Sequence, residues 1–374
     1  MRKLRIAIAG GSIGGLFAAS LLHAAGHEVT VFERSRQGLE GRGAGLVGQP
    51  DVYAILKAVG HEQVGEIGVV ARERIFLNRD GRVIKRFATP QTQLSWDILF
   101  RTFRKLLPDD RYMPGVDVAS AGEDDRSAHL TFPNGESVEA DLVLGVDGIG
   151  SSVRRAVAGP DATPTYAGYA AWRGLFPEAD LPEIAADTLL ERFAFFDIQH
   201  SHALGYLVPG PDGSTAPGAR RYNWVWYRRL SEQDGALARA LTDRSGHVHP
   251  YSLSPGAMPD AARDELVDAA RSTLPPQFAA AVMTERSPFI QAICDYATPI
   301  MATRRIALLG DAAFVVRPHT AMGVSKAAGD ALVLTACLAH GDDIAASLAA
   351  YQAARRPVGR DISAYGRRLG EMFA

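Results

Sequence analysis

The opening run Ile6-Ala7-Ile8-Ala9-Gly10-Gly11-Ser12-Ile13-Gly14-Gly15 leads directly into an apolar helical stretch and then into Val29-Thr30-Val31-Phe32-Glu33-Arg34. No other feature of the chain restricts its fold so strongly. A buried strand, a glycine turn, a helix and a second strand packed into residues 4–34 spell a βαβ unit. The glycines let the backbone turn tightly, and Gly15 lets the helix approach the strand. Ser12 stands where the usual pattern has its second glycine, and it is small enough for a close backbone approach. The helix N-terminus presents unpaired N–H groups to a diphosphate, and Glu33 ends the second strand, where a carboxylate accepts hydrogen bonds from ribose hydroxyls. Gly10, Ser12, Ile13, Gly14, Gly15, Glu33 and Arg34 are therefore the candidate dinucleotide contacts of this unit.

A chain of 374 residues has room for two substructures with cores of their own. Its formal net charge of −2, with no long basic run, argues against a nucleic-acid surface. Cys294 and Cys337 lie far apart, form no metal or redox pair, and fit buried apolar positions in a reducing cytosol. His247 and His249 have strand spacing but no third ligand nearby, so no metal site is expected. The apolar run after Met1-Arg2-Lys3 is only a strand long before glycines interrupt it, which excludes a signal peptide. No stretch is long and apolar enough for stable membrane insertion. The expectation is a soluble cytoplasmic protein; monomer and homodimer both stay open.

Further along, residues 37–48 are rich in glycine and read as a loop with close ligand approach, placing Arg42, Gly45 and Leu46 beside the ligand. Arg42 reads as a phosphate contact and nearly as well as a solvated arginine. Helical spacing covers residues 50–60 and 96–107, and Arg79-Asp80-Gly81-Arg82 reads as a hairpin turn. Residues 166–230 alternate and are rich in aromatics, the pattern of an antiparallel sheet. Helices are expected at 261–272, 276–283, 330–338 and 344–355, with Pro357 as a break. The fold class is α/β: a Rossmann-like nucleotide domain (residues 1–70, 95–165 and 288–374) with an inserted, mainly antiparallel β-sheet domain (71–94 and 166–287) and C-terminal helices. Ligand sites favour such an interface.

Two more buried strands end in acidic-glycine turns. One is Leu142-Val143-Leu144-Gly145-Val146-Asp147-Gly148, followed by Ser151, Ser152, Val153 and Arg154. The other is Leu308-Leu309-Gly310-Asp311-Ala312-Ala313, followed by Arg317-Pro318-His319 and then by Gly323 and Asp330. An Asp at such a position bonds a ribose or ribityl hydroxyl, or else a neighbouring backbone N–H. With the glycine turn, these motifs make the chain resemble the FAD-dependent aromatic hydroxylases, the class A flavoprotein monooxygenases, over nearly its whole length. Three positions depart from the family pattern: Ala321 and Ser325 stand where Gly and Asn are common, and Trp96 where an Arg is common. A narrower resemblance, to the hydroxypyridine hydroxylases of that family, is carried by Gly10-Gly11-Ser12, Thr165-Tyr166-Ala167-Gly168-Tyr169-Ala170-Ala171-Trp172-Arg173-Gly174, Ser287-Pro288-Phe289, and Arg317-Pro318-His319 followed by Ala327.

The resemblance implies bound FAD, transient NADH or NADPH, O2, and oxygen transfer through a flavin hydroperoxide to a small hydroxylated aromatic or N-heteroaromatic ring. It implies that Asp147, Gly310, Asp311, Gly323 and Val324 contact FAD, and that Pro318 and His319 sit beside the isoalloxazine ring. His319 is then the first candidate to accept a substrate proton. Tyr222 and His202, in the antiparallel sheet, are candidates to hydrogen-bond the ring. Two rivals stay open: another flavin reaction on the same framework, such as a halogenase or reductase, and a non-catalytic FAD-binding redox sensor. Against a halogenase, Trp224-Val225-Trp226 continues as Tyr227-Arg228-Arg229 and not as Ile-Pro.

Overall fold

Strand Arg5–Ala9 lies at the centre of a five-stranded parallel sheet in a computed structural model that describes residues 3–36, 39, 45–341 and 343–371. Across the sheet the order is Ile306–Leu308, Leu142–Gly145, Arg5–Ala9, Glu28–Glu33, Tyr112–Pro114. The register sets Ile6 opposite Leu142 on one side and Val29 on the other. Continuous apolar runs are what such strands need, because both faces are covered. Ile6, Ile8, Val31, Leu142 and Leu144 are all buried, and each contributes about 1.5–3 kcal/mol. Helices Ile13–Ala24 and Gly323–His340 pack against each other, and Ile344–Leu369 packs on the latter. Among the described residues, no helix is long and apolar enough to cross a membrane.

The second unit is a nine-stranded, mainly antiparallel sheet whose middle is formed by Phe289–Ala297, Thr165–Pro177, Arg221–Arg229, Ser201–Val208 and Arg192–Ile198. Glu73–Leu77 joins its edge in parallel, followed by Val83–Phe87 across the expected hairpin. The two faces differ in role. Tyr222, Trp224 and Trp226 point outward into a core shared with Leu266 and Phe278 of helices Asp260–Thr273 and Pro276–Thr284. Tyr169, Ala171, Leu204, Tyr206, Val225 and Tyr227 point inward, toward the nucleotide unit.

Two expectations are corrected. The strand Phe289–Ala297 stays in the large sheet, paired with Thr165–Pro177, so the chain does not return to the nucleotide unit at residue 288. The helix expected to stop at Pro357 runs unbroken from Ile344 to Leu369 with Pro357 inside it. Proline removes one intrahelical N–H donor, but Tyr351, Arg355, Gly359 and Ile362 bury the same stretch against the third motif. Packing therefore outweighs the local defect.

Candidate active site

The glycine turn is built as its sequence requires. Gly10 has φ +102°, and a Cβ there would lie 2.4 Å from the Val146 carbonyl oxygen. A Cβ at Gly15 would lie 1.9 Å from the Gly10 oxygen, so helix and strand approach only because that atom is missing. Ser12 occupies the N-cap of helix Ile13–Ala24 without spending its side chain on a cap bond. The first-turn N–H groups are left for an anion. The Glu33 carboxylate is buried and held by the Gly11 and Ser35 N–H groups, each at 2.8 Å.

These residues open onto a cavity of about 570 Å³ walled by Gly10, Ser12, Glu33, Arg34, Asp147 and Asp311, among others. A second cavity of about 430 Å³ continues from it, the two sharing Ser12, Leu39 and Asp311. The second lies between the inner face of the large sheet and the loop after the third motif. Gly45, Leu46, Pro318, His319, Gly323 and Val324 line it, as do Trp96, Arg173, Tyr206, Tyr227 and Gln291. The result is one elongated cleft with a polar nucleotide end and an aromatic end. Helix Gly323–His340 starts in the aromatic end, again without a side-chain cap, which aims a second helix N-terminus at the cleft.

The two motif aspartates differ. Asp147 lines the cleft, but its carboxylate accepts from the Ser152 N–H at 2.8 Å, the Ser152 hydroxyl at 3.1 Å, the Val153 N–H at 3.3 Å and the Ser151 hydroxyl. It holds the turn that begins the following short helix. The Asp311 side chain is exposed to the cleft and accepts no hydrogen bond from the described residues. Its deep setting raises its pKa, opposed by the nearby charges of Lys326 and Arg154.

Arg154 joins the two motifs. Its buried guanidinium donates to the carbonyls of Ala312 (2.7 Å), Asp311 (2.7 Å), Ile149 (2.8 Å) and Gly148 (3.2 Å), and lies 4.3 Å from the Tyr296 ring centroid. The sequence motif contains Arg154, yet nothing local reveals that its acceptors lie in a turn about 157 residues away.

His319 sits where the two units meet. Its Nε2 is 2.9 Å from the Gly366 carbonyl. A carbonyl only accepts, so Nε2 carries the proton and Nδ1 keeps the lone pair. The ring stacks at 6.4 Å on Tyr169 and meets Tyr227 edge-on at 5.8 Å. Burial lowers its pKa, which favours the neutral imidazole.

Other candidates fall elsewhere. Tyr222 is fully buried on the outward face, so it does not reach the cleft; the inward phenol of the same strand is Tyr227. Adjacent strand residues face opposite sides, and this strand is buried on both, so the aromatic pattern alone hides which tyrosine turns inward. His202 lies on the inward face beside Tyr227 at 5.8 Å, hydrogen-bonded to Asp197, and is not part of the cavity wall. Ile13, Gly14, Gly15 and Gly310 shape the turns behind the wall. Arg42 lies outside the described residues.

Ala321 takes a left-handed conformation that glycine suits better, with φ +56° and ψ 21°. For an L-residue this costs about 1–2 kcal/mol. Ala321→Gly is expected to hold or raise the melting temperature, because the relief exceeds the roughly 0.4–1 kcal/mol of extra unfolded-chain entropy. A drop in thermal scans would contradict that account.

Comparison with known proteins agrees with this geometry. The family described as FAD binding domain-like matches residues 166–295, which lie in the large-sheet unit. The chain is 30% identical to the 2,6-dihydroxypyridine 3-monooxygenase of Paenarthrobacter nicotinovorans, over 93% of this chain and 86% of that protein. It is 29% identical to the 3-amino-4-hydroxybenzoate 2-monooxygenase of Streptomyces cremeus, over 100% of this chain and 88% of that one. The solved structure of the 2,6-dihydroxypyridine-3-hydroxylase from Arthrobacter nicotinovorans matches with a TM-score of 0.92 at 28% identity, covering 100% of this chain and 93% of that one. A nucleotide cleft that runs into an aromatic cavity, on a framework shared with these enzymes from end to end, makes the chain a member of the FAD-dependent aromatic hydroxylases, the class A flavoprotein monooxygenases.

Proposed function

We propose that this enzyme hydroxylates a small hydroxylated aromatic ring, a hydroxypyridine above all, consuming O2 and NADH or NADPH. The observation that carries this reading is the aromatic cavity: it adjoins the nucleotide cleft and is lined by His319, whose ring is held at the Gly366 carbonyl. The two relatives described above act, by name, on a dihydroxypyridine and an amino-hydroxybenzoate.

The residues present fit FAD. Two uncapped helix N-termini, the Cβ-free approach at Gly10, and the exposed Asp311 carboxylate supply donors and an acceptor along one cleft. Glu33 and Arg34 line its polar end. Bound FAD would supply two electrons taken from NADH or NADPH and transfer of one oxygen atom of O2 to an electron-rich ring, the other atom leaving as water.

The chain's own residues prepare the ring. Tyr206 donates to the Gly45 carbonyl at 3.0 Å and so fixes one wall, while Val225, Leu204 and Phe193 exclude water. His319 accepts the proton of a ring hydroxyl on Nδ1, which raises electron density at the carbon to be oxygenated. The Gly366 carbonyl holds the imidazole in the tautomer that this requires.

Asp311→Ala and Glu33→Ala are each expected to weaken FAD retention by about tenfold or more, the scale of one hydrogen bond to a charged group. The flavin-to-protein absorbance ratio after gel filtration reads this, and full occupancy in both variants would remove those assignments. The reaction itself is tested by following NADH and NADPH oxidation with hydroxypyridines and phenols. Stimulation by one ring, with product formed, is expected. A flavin that ignores every ring would favour a redox sensor, and stimulation without oxygenated product a reductase.

A further inference from the structure

Among the described residues, no carboxylate forms an ion pair with the arginine in the aromatic cavity. Arg173 stands on the inward face of strand Thr165–Pro177, opposite Val225 on one side and Phe289 on the other. It lines the cavity among Val225, Leu204 and Phe193, and its guanidinium carbon lies 5.7 Å from the Phe289 ring centroid. Its Nε is buried and has no hydrogen-bond partner. No ion pair or hydrogen bond joins the Arg173 side chain to any described residue. Three buried arginines elsewhere are paired: Arg317 with Asp295 at 2.6 Å, Arg221 with Asp97 at 3.0 Å, and Arg220 with Glu178 at 2.7 Å. An inward guanidinium without a partner is unfavourable in the free protein and becomes favourable when a ligand brings the negative charge. Its positive charge also reaches the cavity phenols, opposing the burial that raises the pKa of Tyr206 and Tyr227.

We infer that Arg173 anchors a ring-borne oxyanion, so that the substrate binds as an anion with its charged oxygen on this guanidinium. A deprotonated ring hydroxyl and a ring carboxylate share that chemistry. The inference rests on the proposed ring hydroxylation and adds to it a charge requirement and a specificity residue. Gln291, also in the wall, supplies a neutral hydrogen bond beside it. For a hydroxyl substrate the arrangement selects the protonation state that is more nucleophilic at carbon.

The test uses FAD-loaded enzyme without NAD(P)H. Binding is read from the change in flavin absorbance with 2,6-dihydroxypyridine, 6-hydroxynicotinate and the neutral 2,6-dimethoxypyridine, across pH. Arg173→Gln is expected to weaken the preferred anion by about 10- to 100-fold, the scale of a hydrogen bond to a charged group. Arg173→Lys should recover part of that loss, and both variants should retain FAD and bind the dimethoxy ring as wild type does. A carboxylate source predicts that 6-hydroxynicotinate loses most and that wild-type affinity is flat above the carboxylate range. A hydroxyl source predicts affinity that rises with pH in wild type and not in Arg173→Gln. Equal weakening of neutral and anionic rings, loss of FAD, or unchanged affinity would overturn the inference while leaving the hydroxylase reading intact. A wild-type enzyme that neither binds nor oxygenates any ring of the panel would overturn both.

Discussion

Replacing His319 by glutamine is expected to slow ring hydroxylation by about 10²- to 10³-fold while leaving FAD bound, within the usual range for a lost general base. Glutamine keeps an N–H to offer the Gly366 carbonyl, so the loop retains its anchor and the loss isolates the missing lone pair. The sign of the pH dependence follows from burial. The imidazole pKa is lowered from its ordinary 6.5, and the working form is neutral. Wild-type activity should therefore hold as pH falls past 6.5 and decline only when the depressed pKa is reached. His319→Gln should lack that acidic limb. NAD(P)H oxidation in the variant should continue in part, with reducing equivalents appearing as peroxide. Unchanged, fully coupled turnover would remove His319 from the mechanism.

Arg154→Met is expected to destabilise the enzyme by about 3–5 kcal/mol, because several carbonyls lose a hydrogen bond to a charged donor, each worth about 1.5–3 kcal/mol and not additive in full. Four carbonyls lose a charged donor together, and methionine fills part of the volume without replacing any of those bonds. Against a total stability of about 5–15 kcal/mol this is a large share. The melting temperature should fall by roughly 10 °C, on the scale of 2–4 °C per kcal/mol for larger domains. The turns carrying Asp147 and Asp311 are tied to one another by this side chain, so the flavin content should fall as well. A variant with wild-type melting and full flavin would show that the bridge is dispensable.

Both effects arise from contacts that the sequence reveals unequally. The glycine turn was legible because its constraint is local: Gly10 and Gly15 are needed for backbone geometry that neighbouring residues impose. The hairpin at residues 79–82 was legible for the same reason. The inward residue of strand Arg221–Arg229 was not, since aromatics stand on both faces and a single-residue shift exchanges Tyr222 for Tyr227. Asp147 and Asp311 look alike as strand-end acids, and only the folded turn shows that one is spent on Ser151 and Ser152 while the other is exposed. Arg173 lies inside a segment that resembles hydroxypyridine hydroxylases, but that no described carboxylate pairs with it is a property of the strands that meet around the cavity. Pro357 shows the same limit from the other side, where a strong local breaker yields to tertiary packing.

The central claim is oxygen transfer from O2 to a ring held in the aromatic cavity. The most direct measurement supplies the FAD-loaded enzyme with NADH or NADPH, a hydroxypyridine panel and isotopically heavy dioxygen, and reads product mass. The account predicts a single product heavier by one oxygen, carrying the heavy isotope. A product whose new oxygen comes from water, or NAD(P)H consumption that ends only in peroxide with every ring tested, would contradict it.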